Sequence, residues 1–247
     1  MKILSIDTAS DICGVSILED KNLICNLDSN TGRTHSENLM PMVEDAFSKS
    51  NLSLKDIDLL VCDKGPGSFT GIRIGVATVM AFHDSFDIPC VGISSLEALA
   101  YNTRNVVKNN SYVCSIIDCK NDNCYFALYE NKDGIFEELI EPQTESIESA
   151  LSILDNYCKD SIENFENSEI TFVGDGCKIY KDKIQNYFSN AMFVDDGMND
   201  LNSYSLCLAG LVHYNENIDV GDILPLYLKK PQAQRLLEEK EKVESNK

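Results

Sequence analysis

Gly65-Pro66-Gly67-Ser68-Phe69-Thr70-Gly71 is the stretch of sequence that decides the fold. The apolar run Asp58–Asp63 before it predicts a buried strand, and the recurrence of Ile72, Val76 and Val79 after it predicts a helix. Three glycines and a proline in seven residues allow close backbone approaches. The spacing matches neither a Walker loop nor a dinucleotide-binding turn. Two interpretations follow: the helix start receives an anion or a partner's carbonyl, or the turn is a tight connection without a ligand.

The composition indicates a soluble, acidic, globular protein. The chain has 247 residues, 40 acidic against 21 basic side chains, and a net charge of −19. Such a charge repels phosphate backbones, so any RNA-related role requires a partner that supplies positive surface. No apolar run reaches the length that spans a bilayer. An acidic residue at Asp7 comes too early for a signal peptide, so we expect a cytoplasmic protein.

The ten cysteines do not indicate a disulfide framework or a metal site. Most lie inside apolar segments, where a reduced cysteine acts as a small hydrophobic residue. Cys114, Cys119 and Cys124 are evenly spaced but lack a fourth ligand. We therefore predict no bound metal.

The first half of the chain reads as a meander followed by alternating helices and strands. Thr34 and Glu37 form a predicted capping box, and Pro41 lies early in the helix that follows. The predicted strands are 3–8, 12–18, 22–28, 58–63 and 89–92, and the predicted helices start near 36, 72 and 94.

An internal duplication is indicated by two similar segments. Residues 4–13 align with 115–124 at one offset, which matches Asp7 with Asp118 and Cys13 with Cys124. A repeated strand, acidic turn and strand predicts two related subdomains facing a cleft, although two hairpins can also resemble each other by chance. We expect the domains to be 1–104, 105–224 and a tail 225–247, with the option that the helix 203–214 packs back on the first. Further predicted elements are a helix over 147–157, a strand over 170–173, a helix that ends at 188 and a strand over 192–194. The run 234–244 has helix-forming composition but little apolar surface, which is typical of a frayed or disordered segment.

Acidic and glycine-rich turns mark a candidate nucleotide site in this cleft. Asp7 and Asp118, at strand ends, could hold magnesium over a nucleotide, and Asp175 lies between two glycines. Aspartate is also common in turns, and no serine or cysteine triad accompanies it. The candidate cleft residues are Asp7, Thr8, Gly65, Gly67, Ser68, Thr70, Asp118, Lys120, Gly174 and Asp175.

A candidate interaction surface combines two helices. Small residues recur at Gly71 and Gly75 and at Ala77 and Ala81, which allows another helix to approach closely. Ordinary packing within the domain is the alternative. The candidate interface residues are His35, Glu37, Leu39, Val43, Phe47, Ile72, Arg73, Gly75, Val76 and Val79.

Several of these motifs resemble one family. The strings His35–Pro41, Gly65–Gly75 and Gly92–Glu97, with the ending Tyr227–Lys229, are similar to those of TsaB (YeaZ), the accessory subunit of the bacterial system that makes threonylcarbamoyladenosine in tRNA. The resemblance is strong over the first hundred residues and loose beyond them.

The resemblance implies an actin/Hsp70/sugar-kinase-like α/β fold of two duplicated subdomains, with mixed sheets flanked by helices. It also implies a non-catalytic subunit that pairs with the transferase TsaD, is joined by the ATPase TsaE, forms a homodimer when alone, and meets tRNA only through the complex. TsaD carries a metal-binding His-x-x-x-His where this chain has Ser95-Leu96-Glu97-Ala98-Leu99. No tightly bound cofactor is implied, with ATP or ADP and magnesium expected at most at the partner interface.

The chain departs from the family pattern at the second hairpin. Lys120 replaces an arginine, Asn123 replaces a glutamate, and Lys229 replaces a further arginine. Lysine cannot make the bidentate contact of arginine, so the resemblance does not carry the family's contacts over to this loop. The alternative function is a divergent small-molecule kinase or ATPase of the same fold; a metallopeptidase would need ligands that the sequence lacks.

Overall fold

The structure, a computed structural model, describes residues 1–30, 34–162, 169–218 and 220–229. The run 234–244, for which the sequence indicates a frayed or disordered segment, lies outside these residues. No helix in the described part is both long and apolar enough to cross a bilayer.

The first half is built on a five-stranded mixed sheet. Its strands are β1 (Lys2–Asp7), β2 (Cys13–Glu19), β3 (Asn22–Ser29), β4 (Leu59–Asp63) and β5 (Cys90–Ile93). The order across the sheet is β3-β2-β1-β4-β5, antiparallel through β3, β2 and β1 and parallel from β1 to β5. The carboxyl ends of β1 and β4 therefore meet at one edge, where ligand clefts form in such sheets.

The second half repeats this topology. Its strands are β6 (Ser111–Asp118), β7 (Asn123–Lys132), β8 (Ile135–Ser146), β9 (Ile170–Val173) and β10 (Ala191–Phe193). The order β10-β9-β6-β7-β8 mirrors the first sheet strand for strand. Asp7 pairs with Gly14, whereas Asp118 pairs with Cys124, because the second turn is one residue shorter. The duplication is real, but Gly14, rather than Cys13, occupies the position equivalent to Cys124.

Seven α-helices in the described residues cover the sheets. They are α1 (His35–Ser50), α2 (Phe69–Phe86), α3 (Ser95–Asn102), α4 (Ile147–Ser161), α5 (Asp175–Ile179), α6 (Lys181–Tyr187) and α7 (Ser203–Glu216). Helix α7 packs on α3 and on the strands of the first sheet, although it follows the second sheet in the chain. Helices α4, α5 and α6 pack with the second sheet around a separate apolar cluster. The predicted fold class, two duplicated α/β subdomains with mixed sheets, is confirmed; the domain boundaries stay a prediction.

Two local features differ from the sequence expectation. The capping box at Thr34 does not form: Thr34 occupies the N-cap position of α1, but its side chain makes no capping hydrogen bond and instead contacts the Ser36 hydroxyl. Strand β8 was not predicted, since its sequence lacks regular alternation and its pairing with β7 shifts register twice near Leu128.

Candidate functional site

The glycine-rich turn is locked onto the loop that follows β1. The Ser68 amide donates to the Ala9 carbonyl at 2.7 Å, and the Thr8 hydroxyl donates to the Gly71 carbonyl at 2.7 Å. A Cβ atom added at Gly67 would lie 2.2 Å from the Ala9 carbonyl oxygen, and one at Gly71 would lie 1.8 Å from that of Thr8. These glycines therefore permit the backbone to approach its own chain. At the start of α2, the Ser68 amide thus donates to a carbonyl of the same chain. This contact agrees with the interpretation of the turn as a tight connection without a ligand.

The start of α1 reaches the same loop. The His35 Nε2 atom lies 2.7 Å from the Ser10 carbonyl oxygen, so this nitrogen carries the proton and donates. The ring also lies close to Gly71, where an added Cβ would meet its Cδ2 atom at 3.2 Å. The two sequence motifs that begin at His35 and Gly65 thus hold one structural element, the loop after β1.

Asp7 and Asp63 form a buried carboxyl pair beneath this loop. Both residues are almost completely inaccessible to solvent. Asp7 accepts from the Ala9 amide, while Asp63 accepts from the Gly65 amide at 2.7 Å and from the Ser95 hydroxyl at 2.6 Å. Burial first, and then repulsion from Asp63, raises the pKa of Asp7 well above its usual range. Burial raises the pKa of Asp63 to about 6.

The role of Asp63 was missed in the sequence. Its position at the carboxyl end of β4, directly before the glycine-rich turn, was the available signal, since Asp7 ends the neighbouring strand β1 in the same way. The oxygen that accepts from both Gly65 and Ser95 joins the turn to the start of α3. These hydrogen bonds therefore hold the glycine-rich turn and the start of α3 together at this edge of the sheet.

A cleft of about 500 Å³ opens between the two halves above this edge. Its walls come from the loop after β1, the glycine-rich turn, the turn between β6 and β7, the start of α5, and Lys229 near the end of the described chain. Its charged lining residues are Asp11, Asp118, Asp175, Asp200, Lys120 and Lys229. Four carboxyl groups against two ammonium groups make a poor receptor for a polyphosphate.

The charged groups of the β6–β7 turn are already paired with one another. The Lys120 ammonium lies 2.8 Å from an Asp118 oxygen, and the Tyr180 hydroxyl donates to the other oxygen at 2.8 Å. Although burial acts in the opposite direction, these hydrogen bonds from Lys120 and Tyr180 lower the pKa of Asp118. The Lys229 ammonium donates to the Cys119 carbonyl at 2.8 Å. Lys120 and Lys229, which stand where the family has arginines, therefore both bind groups of the β6–β7 turn.

The structure brings only part of the predicted cleft set together. Gly67, Ser68, Asp118, Lys120 and Asp175 line the cleft. Asp7, Thr8, Gly65 and Gly174 are buried behind its walls, and Thr70 lies on the exposed side of α2. Asp7 is buried against Asp63 and does not line the cleft, whereas Asp118 does, and a magnesium site that uses both stays a prediction. No cluster of three or more metal-ligating side chains occurs in the part of the chain that the structure describes.

Most of the predicted interface residues belong to the core of the chain itself. The buried ones are Leu39, Val43, Ile72, Gly75, Val76 and Val79. They pack against the first sheet because the most apolar stripe of a surface helix faces its own domain. Their side chains are thus occupied within the chain itself, and a contact of these six residues with a partner stays a prediction. His35 and Phe47 are partly buried, while Glu37 and Arg73 are exposed.

The exposed face of α2 carries small and apolar side chains. Ala77 and Ala81 are exposed on it, and Ile74 is partly exposed. On α1, which contacts α2, Met40 is 43% exposed beside an exposed Pro41. We call the exposed residues of these two helices the α1–α2 face.

An aromatic contact borders this face. The Phe69 and Tyr227 rings stack with centroids 4.8 Å apart. The Arg73 Nε atom donates to the Tyr227 hydroxyl at 2.8 Å. The last described segment of the chain is thereby fixed to the start of α2.

Comparisons with known proteins agree with the fold and the motifs. The family model described as "TsaD: tRNA N6-adenosine threonylcarbamoyltransferase" matches residues 28–235. The chain is 28% identical to the tRNA threonylcarbamoyladenosine biosynthesis protein TsaB of Bacillus subtilis, over 95% of this chain and 96% of that protein. It is 30% identical to the TsaB protein of Buchnera aphidicola subsp. Schizaphis graminum, over 72% of this chain and 80% of that protein.

Solved structures show the same architecture. YeaZ from Pseudomonas aeruginosa superposes with a TM-score of 0.73 at 20% identity, covering 92% of this chain and 99% of that one. A second structure from that organism, described as similar to peptidase YEAZ, gives 0.77 with the same identity and coverage. At this identity the likeness concerns the fold, while the family model and the relatives carry the assignment. The chain belongs to the TsaB (YeaZ) family, within the wider group that the threonylcarbamoyltransferase model describes.

Proposed function

We propose that this chain acts in the formation of threonylcarbamoyladenosine in tRNA, as a non-catalytic subunit whose α1–α2 face binds a TsaD-family transferase. The names of its relatives support the pathway. The observation that carries the binding role is the exposed face of α2, where Ile74, Ala77 and Ala81 leave room for a partner helix.

The residues around the glycine-rich turn and the cleft support a role without catalysis. At the position of the transferase's metal-binding histidines this chain has Ser95 and Leu99, and Ser95 uses its hydroxyl to bind Asp63. The glycine-rich turn approaches its own chain, and the cleft is acidic. The net charge of −19 favours contact with tRNA through a partner. ATP or ADP with magnesium at the partner interface, binding of TsaE and homodimer formation stay predictions.

The test is complex formation with the TsaD-family protein of the same organism. Ala77→Glu places a charge on the α1–α2 face without touching the core. Ser152→Glu, at an exposed position of α4, is the matched control. Burying an unpaired charge at the centre of an interface costs at least about 2 kcal/mol, or about thirtyfold in Kd. Val76→Glu is unsuitable, because Val76 is only 7% exposed and a glutamate there would disrupt the packing of α2 against the first sheet.

Size-exclusion chromatography and calorimetric titration give the readout. We expect the wild type and the Ser152→Glu variant to form the complex, and the Ala77→Glu variant to lose it while keeping its melting temperature. Equal affinity of all three proteins would contradict the proposed face. Steady hydrolysis of ATP with magnesium by the purified chain alone would instead favour the kinase or ATPase alternative.

A further inference from the structure

A second cavity, larger than the cleft, lies on the other side of α3. Its volume is about 670 Å³, within the usual range of small-molecule sites. Helices α3 and α7 and strands β7 and β8 supply most of its lining, and it shares no residue with the cleft. No residue of the α1–α2 face lines it, and of the strings that carry the family resemblance only Gly92–Glu97 reaches it, through Ser94 and Glu97. The cavity therefore requires a separate explanation.

A hydrogen-bonded pair of ionisable side chains forms part of the lining. The His213 Nε2 atom lies 2.8 Å from an oxygen of Glu97, so Nε2 carries a proton and donates. The exposed fractions of the two side chains are only 17% and 12%. A carboxylate is therefore held in a fixed orientation in a place that is largely shielded from water, where its interaction with a ligand charge is weakly screened.

Two tyrosine hydroxyl groups near this pair are left without a well-formed hydrogen bond. Tyr101 is 3% exposed and Tyr129 is 1% exposed, and both line the cavity. The Tyr129 hydroxyl lies near Ser94, and the Tyr101 hydroxyl lies near the Phe136 backbone. Neither contact meets hydrogen-bond geometry. Leaving a buried hydroxyl unpaired costs about 1–3 kcal/mol, so a polar ligand group that binds there would be stabilised.

The remaining lining identifies the charge of such a ligand. The charged side chains, apart from His213, are Glu97, Glu137, Glu138, Glu216, Lys64 and Lys132. Carboxylates exceed ammonium groups by two, and Lys132 is paired with Glu137 and Glu130. The Tyr101 and Phe136 rings meet edge to face with centroids 5.0 Å apart, which adds aromatic surface. Carboxylates combined with aromatic rings are the surroundings that organic ammonium ions prefer.

We propose that this cavity binds an aliphatic diamine or polyamine, with its ammonium groups held by Glu97 and Glu138 and by the hydroxyl oxygens of Tyr101 and Tyr129. Each terminal ammonium group brings three donors and no acceptor. It therefore satisfies carboxylate and hydroxyl oxygens together, whereas an anion would be repelled by the same lining. The methylene chain between the ammonium groups would lie against the aromatic rings.

Calorimetric titration of the full chain with spermidine and with putrescine tests the proposal. We expect saturable binding of one molecule per chain. Glu97→Gln removes a charge but keeps the shape, and we expect it to weaken binding about tenfold or more, since hydrogen bonds to charged groups contribute about 1.5–3 kcal/mol. Tyr129→Phe removes only the unpaired hydroxyl and should weaken binding about two- to tenfold.

The control separates a built site from general attraction to an acidic protein. Glu44→Gln changes the net charge equally but lies on the exposed side of α1, and we expect it to leave the affinity unchanged. Equal weakening by Glu44→Gln and Glu97→Gln would overturn the proposal, and so would the absence of saturable binding to the wild type. An unchanged affinity of Tyr129→Phe, with its fold verified by circular dichroism, would also contradict the site.

Discussion

Replacing Gly71 by alanine is the sharpest perturbation of the glycine-rich turn. The new Cβ would lie 1.8 Å from the Thr8 carbonyl oxygen, whereas Cβ atoms essentially never approach a neighbour below 3.0 Å. Relief requires the start of α2 to move by on the order of 1 Å, since packed backbone has little free volume. This movement strains the hydrogen bond from the Thr8 hydroxyl to the Gly71 carbonyl.

The expected loss follows from these two effects. Overpacking costs about 1–3 kcal/mol and a lost hydrogen bond about 0.5–1.5 kcal/mol. We therefore expect Gly71→Ala to lower the free energy of unfolding by about 2–4 kcal/mol. For a chain of this size the melting temperature should fall by about 5–15 °C.

Urea-induced unfolding, followed by circular dichroism, measures this change. Gly197→Ala is the matched control, because an added Cβ there meets nothing within 4 Å. That variant should be neutral, or more stable by up to about 1 kcal/mol through the lower entropy of the unfolded chain. If Gly71→Ala changes the stability by less than about 0.5 kcal/mol, the turn is not held against the loop after β1, and its glycines must serve a ligand or partner.

Three further predictions concern the groups around this turn. Burial raises the folded-state pKa of Asp7 well above its usual range and that of Asp63 to about 6, so the free energy of unfolding falls as pH rises from about 4 through the folded pKa values. Urea titrations at pH 4.5 and 8 should show that Asp7→Asn removes on the order of 1.4 kcal/mol or more of this loss, and parallel curves would contradict the buried pair. His35→Ala should cost about 0.5–1.5 kcal/mol by freeing the Ser10 carbonyl, and amide exchange in the loop after β1 should accelerate. Tyr227→Ala should cost about 0.5–1.5 kcal/mol beyond its burial through the lost ring stacking, with faster amide exchange over 220–229 as the readout and unchanged exchange as the opposing result.

The sequence was most informative where a local pattern has only one structural solution. Strands β1 and β2 are short apolar segments bounded by polar turns, and the repeat at Asp7 and Asp118 predicted the second hairpin. Strand β8 has no such pattern, because register shifts against β7 move its side chains between the two faces. Its position depends on pairing across the sheet, which a local pattern does not contain.

The candidate interface shows a second limit. Helical periodicity correctly located the apolar stripes that contain Leu39 and Val76, but both stripes pack against the chain's own sheet. Periodicity shows which face of a helix is buried and not what buries it. The face that remains available carries Ala77 and Ala81, whose small side chains give a weak signal in the sequence.

The prediction of the cleft residues from the sequence had the same limit. The acidic turns and the glycines were located at the carboxyl ends of the strands, but the contact between Asp7 and Asp63 was not predicted. Whether a carboxyl group faces a cleft or a neighbouring strand depends on tertiary geometry. The resemblance to a family gave the fold class; the contacts of these residues required the structure.

Hydrogen–deuterium exchange of this chain, alone and mixed with the TsaD-family protein of the same organism, tests the central claim most directly. The account predicts that exchange slows over the α1–α2 face, in the peptides that cover 36–48 and 70–84. The turn over 118–123 at the cleft should exchange at the same rate in both samples. Protection confined to that turn, with unchanged exchange over both helices, would contradict the account.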